Sequence, residues 1–105
     1  MDYKAIVREH LFQDDRIDQL VEELAELSQA CMKMKRAKYW SRNPTPVQLT
    51  DAIRNVQEEV GDVLMCLDAL DWIEYDTSNN PKWERWANRL IAADERDVVT
   101  KETDE

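Results

Sequence analysis

The chain has 105 residues, 43% of them hydrophobic, with four tryptophans and a formal net charge of −9 from 14 Lys plus Arg against 23 Asp plus Glu. That length suits one domain, burying roughly 60–70% of the surface its unfolded form exposes, and the apolar content argues against global disorder. One glycine and three prolines leave little turn chemistry for a many-stranded sheet, and the acidic excess speaks against a nucleic-acid surface, which takes clustered Lys and Arg.

Tyr3, Ile6, Val7 and Leu11 fall at helical spacing and predict a short helix over 2–12. Asp14 or Asp15 is then the expected cap of a second helix. Its apolar stripe is Ile17, Leu20, Val21, Leu24, Leu27, Cys31 and Met34, and its end falls near Trp40. Ser41 to Pro46 reads as a loop. Either Thr45-Pro46, a cap followed by proline, or Thr50 with Asp51 opens a third helix. Its stripe of Ile53, Val56, Val60, Val63, Leu64, Leu67 and Leu70 carries it towards Tyr75. Gly61, inside that stripe, marks either close approach by a neighbour or simple tolerance. Asn80-Pro81 repeats the cap-then-proline signature before a shorter helix with Trp83, Trp86, Ala87 and Leu90 on one side. Eight of the last twelve residues are charged, so 94–105 is expected to fray or be disordered beyond a single all-α domain over 1–93.

The expected fold is therefore an antiparallel helical bundle with two long central helices, shorter flanking helices and a core completed by self-association. No apolar run approaches the roughly 20 residues that cross a bilayer, and the N-terminus lacks a signal peptide's apolar core. Cys31 and Cys66 lie far apart in helical patterns and read as buried, reduced thiols. A cytoplasmic protein with no membrane partner is the expectation.

The informative pattern occurs twice. Leu20-Val-Glu-Glu-Leu-Ala-Glu-Leu27 is matched by Val56-Gln-Glu-Glu-Val-Gly-Asp-Val63, pairing Glu22 with Glu58, Glu23 with Glu59, and Glu26 with Asp62. At about 100° per residue, Glu23 and Glu26 lie about 60° apart on one side of their helix, one turn apart along it. Glu59 and Asp62 repeat the arrangement, so a hairpin of the two helices lets the pairs converge. Converging carboxylates repel by roughly 1–4 kcal/mol per close pair, a cost that a divalent cation removes. All-oxygen ligands select Mg²⁺ or Mn²⁺ over zinc. The alternative is an ordinary solvated face, since about a fifth of the chain is acidic and Glu26 and Asp62 stand nearly opposite the apolar stripe.

Glu22-Glu23-x-x-Glu26, followed on the next long helix by Glu58-Glu59-x-x-Asp62 and apolar Val63-Leu64-Met65, resembles the MazG-like nucleoside triphosphate pyrophosphohydrolases, the all-α superfamily that includes dimeric dUTPases. The Asn43-Pro44-Thr45-Pro46 connector looks like those of phage-type members, and the resemblance spans roughly residues 15–92. It implies hydrolysis of an NTP or dNTP to monophosphate and pyrophosphate, with Glu23, Glu26, Glu59 and Asp62 as the catalytic Mg²⁺ ligands. Glu22 or Glu58 would orient the attacking water or stand solvated beside the site.

Positive charge for the phosphates is expected from Lys33, seven residues after Glu26 on the same side of its helix, and from Lys38. Lys82 and Arg85 resemble the basic pair that follows the second motif in such proteins; the bland reading of each cation is a surface charge. Trp40, Trp72, Trp83 and Trp86 are candidates to stack on a base, with Trp83 and Trp86 reading as core or interface. His10, the only histidine, has no serine nucleophile to serve and reads as structural or exposed. Three outcomes follow: a Mg²⁺-dependent pyrophosphohydrolase acting as a homodimer or homotetramer, a non-enzymatic acidic interaction module, or a nucleotide binder without turnover.

Overall fold

The computed structural model describes residues 1–38, 48–73 and 76–104, with backbone alone from 97 onward. Among these residues there are four α-helices and no strand: α1 (Tyr3–His10), α2 (Gln13–Lys38), α3 (Leu49–Ala69) and α4 (Lys82–Asp104). None is long and apolar enough to cross a membrane. The chain divides into two compact units, Met1–Ile73 and Glu74–Glu105. The connector 43–46, Trp40 and Tyr75 lie outside the described residues.

Local chemistry explains the helix ends. Asp2 caps α1, accepting the Ala5 N–H at 3.0 Å. Asp14 and Asp15 do not precede α2 as caps. They sit in its first turn, where negative charge suits the helix dipole. Asp15 reaches back to accept the Phe12 N–H at 3.2 Å, the return half of a capping box. Gln48 precedes α3 without a side-chain cap, so Thr50 and Asp51 belong to its first turns and not to its start.

The helix α3 ends at Ala69, short of Tyr75, in a Schellman motif. Trp72 N–H bonds to Leu67 O at 2.9 Å and Asp71 N–H to Asp68 O at 3.0 Å. Asp71 takes the left-handed position with φ 57°. Its carboxylate pairs with Arg8, and Lys4 Nζ reaches Asp68 at 2.9 Å and Asp71 at 3.7 Å. These ion pairs pin α1, which has no buried residue of its own, to the end of α3. They also raise the Lys4 pKa, chiefly through the hydrogen bond to Asp68.

The helices α2 and α3 pack antiparallel. Arg16 near the start of α2 donates to the Ala69 carbonyl at the end of α3, while Glu23 and Glu26 meet Glu59 further along. The core between them is Leu20, Val63, Cys66 and Leu70, backed by Ile17, Leu27 and Leu67. Ala30 and Ala52 are buried towards the other end. Cys66 is buried but Cys31 is exposed, against the expectation of two buried thiols; both are free. A Cβ added at Gly61 would meet nothing within 4 Å, so no neighbour in the described structure requires the glycine.

The helix α4 opens as its sequence predicts. Asn80 Oδ1 accepts the Lys82 N–H at 3.0 Å, with Pro81 in the turn just before Lys82, the first helical residue. At 23 residues it is not the shorter helix expected, and it continues through the charged segment from Asp94 to Asp104. Trp83 and Trp86 are exposed within this unit and not core; their rings stack with centroids 6.2 Å apart and planes at 14°. Trp83 Nε1 donates to the Thr77 carbonyl at 2.9 Å.

Candidate metal and anion site

The seam between α2 and α3 carries two acids at positions where apolar side chains belong. Glu23 lies three residues after Leu20 and four before Leu27. Glu59 lies seven residues from both Ala52 and Cys66. Each therefore shares the inward side of its helix and is half-buried. Glu26, one turn beyond Glu23, turns towards the open face and is exposed.

One carboxylate oxygen from each of Glu23, Glu26 and Glu59 lies within 4.8 Å of the others. Glu23 Oε2 and Glu59 Oε2 are buried with no hydrogen-bond partner. Glu26 is held above the usual carboxylate range, first by hydrogen bonding with Glu23, then by the negative charges of Glu23 and Glu59. Orphaned buried oxygens are costly, about 1–3 kcal/mol each and more when charged. A hard divalent cation supplies what they lack, so the donor set fits Mg²⁺ or Mn²⁺.

Asp62 falls outside this three-residue group. It is half-buried one turn along α3, close enough to Cys66 that its charge, with that of Glu23, adds to burial in pushing the thiol pKa up. Glu22 and Glu58 are exposed. Lys33 is exposed on α2, lining a shallow groove with Met32 and Arg36. Lys38 is exposed at the helix end. Lys82 and Arg85 are exposed on α4, where they line a groove of about 280 Å³ with Trp86 and Arg89. Trp72 is exposed beyond α3, and the His10 Nδ1–H donates to Ile6 O at 2.8 Å.

One neighbour of the cluster escaped the sequence reading. Gln19 Nε2 donates to Glu23 Oε1 at 3.0 Å. Its spacing of one helical turn before Glu23 was the available signal. No family model matches the chain, and no curated protein or solved structure matches it either.

Proposed function

We propose that the chain is a Mg²⁺-dependent hydrolase that cleaves a nucleoside triphosphate between its α and β phosphates, releasing monophosphate and pyrophosphate. The carrying observation is the convergence of Glu23, Glu26 and Glu59 with two orphaned oxygens; the resemblance to the MazG-like pyrophosphohydrolases supplies the reaction. Glu23, Glu26 and Glu59 would hold the ion, and Asp62 would join them through a side-chain rotation. A bound Mg²⁺ would screen the acids from the phosphates and stabilise charge developing on the phosphoryl oxygens. Glu22 or Glu58 is the candidate to orient water. Lys33 and Lys38, on the same helix as Glu23 and Glu26, are the candidate phosphate contacts.

Self-association as a homodimer or homotetramer belongs to the same reading. Val21 and Leu24 on α2, and Ile53, Val60 and Leu64 on α3, stay exposed on the hairpin face away from the acids. That apolar face also favours the second reading, an interaction module without chemistry. Incubation with a panel of dNTPs and Mg²⁺ separates the two. The enzyme releases pyrophosphate, and Glu59→Gln lowers the rate by more than about tenfold. Consumption of no triphosphate, or full activity in Glu59→Gln, overturns the proposal.

A further inference from the structure

Between α1 and the α2–α3 hairpin lies a cavity of about 270 Å³, with Val7, Leu11, Met65, Cys66 and Ala69 among its walls and Gln19 at its edge. We infer that this cavity takes the ring system of the ligand whose phosphates a divalent cation on the acidic cluster would hold, and that Gln19 reads the ring's edge. The inference rests on the nucleotide reading above and extends it to base recognition.

Position comes first. Gln19 precedes Glu23 by four residues and Glu26 by seven, all on one side of α2. Cys66 and Met65 follow Asp62 and Glu59 on the corresponding side of α3. At 1.5 Å rise per residue the far wall of the cavity, at Arg16 and Ala69, lies about 10–15 Å along the hairpin from Glu23 and Glu59, and the near wall, at Gln19 and Cys66, about 6–10 Å. A pentose spans such a gap between a base and its first phosphate.

The chemistry of the walls selects the occupant. An apolar cavity just below the roughly 300–1,000 Å³ of drug-sized sites admits one planar ring system. A second anionic group is disfavoured there: Lys4 at the rim is already engaged by Asp68 and Asp71, and Arg16 by the Ala69 carbonyl. Gln19 then sets polarity. A carboxylate only accepts, so the bond to Glu23 fixes the amide nitrogen towards the acids and leaves Gln19 Oε1 as the group offered to a ligand. It suits an N–H on the ring edge, a group that the ordinary nucleobases carry. Gln19 thereby ties base recognition to the orientation of an acid in the cluster.

Titration calorimetry on the full chain, with Mg²⁺-dNTPs against Mg²⁺-tripolyphosphate, tests this. Tripolyphosphate has the charge but no ring. The wild-type chain is expected to bind its preferred dNTP at least about tenfold more tightly than tripolyphosphate. Met65→Trp, which fills the cavity from an exposed position, removes that advantage. Gln19→Leu reduces it by up to about tenfold, the worth of one hydrogen bond. Circular dichroism checks that both variants keep their helices, and Val7→Trp fills the cavity from α1 should Met65→Trp misfold. Equal wild-type affinities for both probes, or an advantage that survives the filled cavity and Gln19→Leu, overturn the inference alone. If the wild-type chain binds neither probe, the nucleotide reading falls and this inference with it.

Discussion

Glu23 and Glu59 face each other across the α2–α3 seam, each with one buried oxygen that no donor satisfies. Two acids at positions that Leu20 and Cys66 continue on either side make the metal-free seam weaker than an apolar one. Glu59→Leu is therefore expected to raise the melting temperature in chelator, by roughly 1 kcal/mol or more of stability. Mg²⁺ should raise the melting temperature of the wild-type chain, because an ion that binds only the folded state stabilises it by linkage, and should do little for the variant. A destabilised Glu59→Leu in chelator would show that the seam needs the acid for packing.

The raised pKa of Glu26 gives a signed pH dependence. Its folded-state pKa lies above the ordinary carboxyl value of 4.5, first because the hydrogen bond with Glu23 favours the protonated form and then because the charges of Glu23 and Glu59 disfavour its own. The folded chain thus binds the proton more tightly than the unfolded chain, and this group's contribution to stability falls as pH rises through that window. In chelator, acidification from neutral pH towards 4.5 relieves the cluster. Since an ion competes with the proton, Mg²⁺-dependent stabilisation should be largest at neutral pH and fade over the same range. Thermal melts of the wild-type chain and Glu26→Gln at several pH values check both parts, with the Glu26→Gln response flatter.

Asp71 occupies a left-handed position that glycine fills at less cost, while its carboxylate ties down Arg8 and Lys4. Asp71→Gly and Asp71→Ala both lose the ion pairs, but only the glycine variant relieves the backbone. The alanine variant should be the less stable of the two by about 1 kcal/mol. In both, amide exchange in α1 should quicken relative to α3, because exposed ion pairs at the end of α3 anchor α1.

Gly61 lies in the interior of α3 with open space where a Cβ would sit. Gly61→Ala should stabilise the chain by about 0.5–1 kcal/mol through helix propensity. Denaturant unfolding measures this directly. A loss of stability would point to a close approach in an assembled form, the other meaning a glycine at this position carries.

The sequence alone determined what depends on neighbours within a turn or two. The helix count followed from apolar spacing, and the start of α4 from Asn80-Pro81, because capping is a bond between residues two or three apart. The doubled acid motif was visible for the same reason. Tertiary packing decided which acids converge, bringing Glu23, Glu26 and Glu59 together with Asp62 outside the group. It also exposed Cys31, left Gly61 without a close neighbour and ended α3 early at a left-handed Asp71. Such outcomes turn on the register and rotation of one helix against another. Those are set by the summed contacts of residues far apart in the chain, which no local spacing encodes.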